Sequence, residues 1–285
     1  MSLIWQFDTS VWYQSLHKEN DQFILERYYK DRDINEYAIL CNPANPKNCT
    51  PLRYPSHIDE YGTCFFDLAG SMPLLSLVTD PNPDEEALLE IFGKLGSTVS
   101  EFHEIEILEK YPQPANFRRL KKYITADSDD AAGYLLSHLD SSEMNALKDL
   151  IDTYSSSEEY VVHGGLGLGT MFVTSDNKLE IPTGPEAGVF TPMMDLAWIV
   201  GELTELEHAS LNSSVDGSRY VQLANQYIEG YETAAGISVD LTQLLQLSML
   251  RTALHYLDFA STYPTLDPHL ENVAFLKWLI ERAVG

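Results

Sequence analysis

The sequence predicts an α+β protein of two lobes, a small strand-rich lobe over residues 1–70 and a larger, mainly helical lobe over residues 71–285. Early apolar and aromatic runs have the length of strands and are parted by Asn-Pro and Tyr-Pro steps, whereas later apolar residues recur every three or four positions. The 285 residues fit one large domain or two closely joined lobes, and 44% hydrophobic residues, with 11 Phe, 16 Tyr and 4 Trp, supply a core.

In chain order, Phe23–Tyr29 and Tyr61–Asp67 read as strands of one sheet, with turns at Asn42-Pro43, Asn45-Pro46 and Tyr54-Pro55. The Gly70–Pro73 punctuation places a hinge near residues 68–71. An acidic segment then leads into a helix whose buried face is Leu88, Phe92, Leu95, Val99 and Phe102, with Asp84 suited to its positive end. The same spacing returns from Met144 to Tyr154, from Tyr220 to Tyr231 and from Leu247 to Leu257, and each set predicts a helix. Between these helices, Val161–Val162 and Met171–Val173 bracket a glycine-rich loop, and a third short apolar run follows a Ser-Asp-Asn-Lys turn. That pattern predicts a loop and hairpin set among helices.

Charge narrows the function. With 18 Lys+Arg against 43 Asp+Glu, the formal charge is -25. Such a surface repels phosphate backbones and anionic headgroups, so neither nucleic acid nor a membrane is an expected partner. The one basic island, Arg118, Arg119, Lys121 and Lys122, reads as a solvated helix face or a partner contact. No apolar run approaches the ~20 residues that cross a bilayer, and Met1–Thr9 lacks a basic leader, so a cytoplasmic protein is expected. Cys41, Cys49 and Cys64, with His57 nearby, lack metal-finger spacing and read as free thiols, with no metal site expected.

The loop carries a resemblance. His163-Gly-Gly-Leu-Gly-Leu-Gly-Thr170, followed by Gly188-Val-Phe-Thr-Pro192-Met-Met-Asp195-Leu-Ala197, resembles the aminoglycoside phosphotransferase and choline kinase family. That family's pattern is His-Gly-Asp-Leu-His-Pro-Gly-Asn, then a strand, Asp-Phe/Trp-Glu, and Gly-Asp-Pro-x-x-Asp-Leu-Ala. Glu36, Gly70, Leu74 and Phe102-His103 fall where that order requires. The resemblance spans nearly the whole chain and implies a protein-kinase-like fold with its cleft between the lobes.

The departures bear on chemistry. Carried over one position at a time, the family's hydroxyl-orienting Asp becomes Gly165, its magnesium-holding Asn becomes Thr170, and its second metal-binding Asp becomes Thr183. Phosphoryl transfer depends on metal-borne charge neutralisation and alignment of the nucleophile. Loss of one such group commonly costs ~10²–10⁴ in rate. No glycine precedes Gly62 to wrap phosphates, and the strand that should supply a lysine offers only Arg27, which reads as a surface arginine in preference to a partner of Glu36. The glycines of the loop lack dinucleotide-binding spacing, and no Gly-x-Ser-x-Gly elbow is present.

His163, Glu186 and Asp195 survive as cleft candidates beside Arg27 and Glu36. Asp195 is expected to anchor the loop through backbone hydrogen bonds, in preference to forming an improvised metal pair with Glu186. Two functions fit this pattern. The first is a pseudokinase-type binding module for a peptide, small molecule or partner protein, serving as a non-catalytic subunit of a modifying or biosynthetic enzyme. The second is a divergent phosphotransferase or other transferase with substituted residues. No cofactor is expected, although an apolar adenine slot between the lobes is compatible with weak, metal-free nucleotide binding.

Overall fold

Strand pairing builds one end of the molecule. The computed structural model describes residues 1–30, 51–106, 111–126, 130–157, 159–211, 216–264 and 270–284. Within it, β1 (Ser2–Asp8), β2 (Trp12–Glu19), β3 (Gln22–Tyr29), β5 (His57–Ile58) and β6 (Cys64–Leu68) form an antiparallel sheet in the order β1-β2-β3-β6-β5. The β2–β3 turn places Asn20 at φ 55°, in the left-handed region that Asn tolerates. The two strands expected from sequence pair with each other, Phe23 opposite Leu68 and Arg27 opposite Cys64. The second begins at Cys64 and not Tyr61, because the Asp59 carboxylate accepts from the Tyr61 and Thr63 amides and folds that stretch into a turn. Leu16, Leu25, Cys64, Phe66 and Leu68 make this sheet's core, which closes against Phe172.

Helices make the rest. β4 (Leu52–Arg53), β7 (Met72–Pro73) and the short α1 (Leu74–Val78) lead into α2 (Glu85–His103), whose N-cap Asp84 accepts from the Ala87 amide. The predicted face from Leu88 to Phe102 is buried. After α3 (Ala115–Thr125) and α4 (Ala131–Leu136), α5 (Ser141–Tyr154) opens on a capping box between Asp140 and Glu143. The loop-and-hairpin region holds β8 (Tyr160–Val162), β9 (Phe172–Val173), β10 (Leu179–Pro182) and β11 (Gly188–Phe190). β8 pairs with β11, and β10 lies between β9 and the parallel β4. Helices α6 (Met193–Ser210), α7 (Ser218–Ala235), α8 (Leu241–Thr262) and α9 (Leu270–Val284) complete the chain. Among the described residues no helix is long and apolar enough to cross a membrane.

Helices α2 and α7 touch through glycines. A Cβ added at Gly230 would lie 2.2 Å from the Gly93 carbonyl oxygen, whereas one added at Gly93 would meet only the Gln226 side-chain amide, at 3.1 Å. Gly230→Ala should therefore cost about 1–3 kcal/mol and Gly93→Ala less than half of that, read as shifts in urea midpoint at constant slope. Equal shifts would show that the close approach of Gly230 to the Gly93 carbonyl does not set the cost.

Candidate functional site

The loop between β8 and β9 is held from beneath. Asp195, in the first turn of α6 and fully buried, accepts the His163 amide at 2.7 Å with Oδ2 and the Gly164 amide at 2.8 Å with Oδ1. His103 at the end of α2 places Nε2 3.1 Å from the same Oδ2 and Nδ1 3.0 Å from the Tyr231 hydroxyl. Burial first, and the Asp195 charge second, push the phenols of Tyr227 and Tyr231 well above their ordinary value. Gly164 has φ +73°, and a Cβ there would lie 2.5 Å from the Glu186 carbonyl oxygen. The expected anchor is therefore present, with His103 as an additional partner.

Of the three substituted positions, Gly165 and Thr170 are partly exposed and Thr183 is buried. A Cβ at Gly165 would meet the methylenes of Glu186 at 3.0–3.1 Å, so Glu186 lies against the face from which a larger side chain would project. Thr170 bridges its own loop, its hydroxyl donating to the Gly167 carbonyl at 2.9 Å and accepting from the Gly167 amide at 3.2 Å. Thr183 is fully buried, with its hydroxyl 3.2 Å from the Ile181 carbonyl.

Arg27 corrects the sequence expectation. It is buried and not on the surface, and its partner is Glu186, with Nη1 3.0 Å from Oε1. Glu36 lies outside the described residues, as do Cys41 and Cys49. The Arg27 Nε donates to Gln14 at 3.0 Å, and its guanidinium lies 5.4 Å from the Trp12 ring centroid and 5.5 Å from that of Phe66. The Tyr29 hydroxyl donates to the other Glu186 oxygen at 3.0 Å. His163 Nε2 is 3.1 Å from the Pro182 carbonyl and 3.7 Å from Glu186. Arg27 and Glu186 thus form a closed ion pair, with the other guanidinium donors directed at Gln14 and at the Pro182 and Thr170 carbonyls.

The segment joining the sheet to the helices is also occupied. Buried Glu180 accepts the Ala69 amide at 2.9 Å and the Gly70 amide at 2.7 Å on Oε2, and the Arg53 Nε and Nη2 at 2.9 Å on Oε1. Beside it the Trp5 indole stacks on Phe172, with ring centroids 6.2 Å apart and planes 8° from parallel. The two backbone donors of this segment and the apolar surface of Phe172 are taken by the protein's own groups.

A magnesium ion does not fit this donor set. Asp195 is spent on backbone amides, Glu186 on Arg27 and Tyr29, and Thr170 and Thr183 on neighbouring backbone. Among the described residues no group of three or more His, Cys, Asp or Glu side chains is placed to hold a metal.

An open cleft of about 750 Å³ adjoins the loop, between β1, β2 and α8. Its walls include the rings of Trp5, Phe7, Trp12, Trp198 and Phe259, and Gly165, Gly167 and Thr170 of the loop line it too. Its charges pair across helices. Arg119 of α3 grips Asp258 of α8 with two bonds of 2.7–2.8 Å, so half of the basic island's guanidiniums serve packing and not a solvated face. Arg251 pairs with Glu205, which also holds His255 Nδ1 at 3.0 Å. Burial would raise the Glu205 carboxyl, but Arg251 and His255 override it and hold the group below its ordinary value. The sequence reading missed this network. Arg251 and His255 lie four apart and Glu202 and Glu205 three apart, a helical spacing that could have marked two facing stripes.

No protein-family model matches the chain, and no curated protein matches its sequence. Solved structures do match it. A choline kinase from Streptococcus pneumoniae, LicA, superposes with a TM-score of 0.63 at 14% identity, over 99% of this chain and 95% of that one. A choline/ethanolamine kinase family protein from Mesorhizobium loti does so with 0.63 at 13%, over 99% and 88%. Spectinomycin phosphotransferase APH(9)-Ia, in complex with ADP and spectinomycin, gives 0.54 at 14%, over 100% and 92%. The chain therefore has the kinase-like fold of choline kinases and aminoglycoside phosphotransferases, with an antiparallel sheet in one lobe and helices in the other.

Proposed function

We infer, from a kinase-like fold that carries Gly165, Thr170 and Thr183 at the positions where phosphotransfer would need acidic and amide ligands, that this protein is a pseudokinase-type binding module. The observation that carries the inference is the buried Arg27–Glu186 pair, which spends a cation and a carboxylate on each other beside the loop where a metal-bound phosphate would need both. Its ligand is a peptide, small molecule or partner protein held at the aromatic cleft, and the protein acts as the non-catalytic subunit of a modifying or biosynthetic enzyme. Calorimetry with ATP and with GTP, each with and without magnesium, tests this. The expected outcome is no magnesium-dependent binding and no phosphate transfer or hydrolysis. Tight binding that requires magnesium would overturn it.

One observation favours a divergent transferase as the second reading. His255 is half exposed at the cleft, and Glu205 fixes its Nδ1, the arrangement of a histidine able to move a proton from its other nitrogen. Transfer activity in the wild type that disappears in His255→Ala would select this reading.

A further inference from the structure

The strand β1 has an unusual edge. It begins the sheet order and pairs only with β2 among the described residues, so one line of its backbone donors and acceptors faces outward. Leu3, Ile4 and Phe7 are 52%, 45% and 48% exposed. The strand holds no proline and no charge before Asp8, whereas edge strands are ordinarily guarded by lysine, proline or cover. Trp5, Gln6 and Phe7 of this same strand line the aromatic cleft, and Phe259 and Tyr263 of the α8 end stand among its other lining groups. An unpaired strand edge thus runs into an apolar cavity of a size that accepts side chains.

Charge selects among occupants. A second copy would bring another -25 onto this surface, and an anionic ligand meets the same field. Both arginines lining the cleft are already neutralised, Arg119 by Asp258 and Arg251 by Glu205, so neither offers a free counterion to an anion. A cation-bearing segment is steered in by the net field instead.

We propose that the outer edge of β1 and the cleft beside it bind an extended, basic peptide segment of another protein. Its backbone continues the sheet at β1, and apolar side chains at alternate positions enter the cleft past Trp5 and Phe7. This deepens the binding-module reading and rests on it. Backbone pairing supplies register, and alternate side chains supply selectivity.

The test uses the full chain and a fluorescein-labelled octapeptide of alternating Val and Lys, followed by anisotropy at low and moderate salt. Comparators are the Val/Glu peptide and two Val/Lys peptides N-methylated on either set of alternate amides. The Val/Lys peptide should bind, the Val/Glu peptide should not, and one N-methylated phase should bind about tenfold more weakly than the other. A variant carrying Leu3→Lys, Ile4→Lys and Phe7→Lys changes half-exposed side chains, of which Phe7 also meets the Trp12 ring edge-on. It should keep its fold, checked by circular dichroism, and lose about tenfold in affinity, and Phe259→Ala on the opposite wall should weaken binding severalfold. Equal binding of both N-methylated phases, or unchanged affinity in the triple variant, overturns the proposal. So does a wild-type dimer in sedimentation that the triple variant dissolves, which assigns the edge to a second copy. Nucleotide titrated into the same samples separates the two failures: no peptide and no nucleotide binding refutes only this inference, whereas magnesium-dependent nucleotide binding refutes the reading beneath it.

Discussion

Glu186→Ala is expected to lower the unfolding free energy by about 3–5 kcal/mol, because it strands the Arg27 guanidinium in a site with 1% exposure. The remaining partners, Gln14, two distant backbone carbonyls at 3.4–3.5 Å and the Trp12 and Phe66 rings, are neutral and cannot replace a carboxylate. The double variant Arg27→Met with Glu186→Leu removes both charges at similar volume and should return to within about 1 kcal/mol of wild type, or exceed it. Urea unfolding of the single and double variants reads the difference. A Glu186→Ala variant as stable as wild type would mean that Arg27 reaches solvent, and the closed ion pair would no longer describe this site.

Asp195→Ala should cost a similar amount, about 3–5 kcal/mol, by a different route. Two backbone amides and His103 lose their acceptor together, each in a fully buried position. Asp195→Asn is expected to lose about half as much, since its amide oxygen still accepts one amide while its NH₂ faces another donor. Hydrogen exchange at His163 and Gly164 is the local readout: both amides should exchange faster in Asp195→Ala than the loss of global stability alone allows. Protection unchanged at both amides would place the anchor elsewhere.

The parts of this protein legible in its sequence are those where one face is dry and the other wet. Leu88 to Phe102 repeats every three or four residues because α2 packs on one side only, whereas Asp195 is legible only through the resemblance of its Asp-Leu-Ala context to the aminoglycoside phosphotransferase and choline kinase pattern. β1 and β2 escaped the sequence reading because their pattern does not alternate cleanly. The apolar residues of β1 are half exposed, and in β2 the consecutive Gln14, Ser15 and Leu16 are all buried. Arginine is usually exposed, and no residue near Arg27 in the sequence marks it as buried. Its burial depends on Glu186, 159 residues away, and on rings from two other strands, and no local pattern encodes that. The same holds for Glu180, whose partners are two backbone amides, of Ala69 and Gly70, and the Arg53 guanidinium 127 residues away.

The closed pair of Arg27 and Glu186 also bears on redesign. A carboxylate introduced at Gly165 would drive into the Glu186 methylenes, and one introduced at the fully buried Thr183 would add a negative charge to a dry site. Replacing Glu186 first to make room strands Arg27. The order of substitution therefore matters: Arg27 and Glu186 have to change together before an acid at Gly165 fits, and stepwise installation of carboxylates around this loop passes through unstable intermediates.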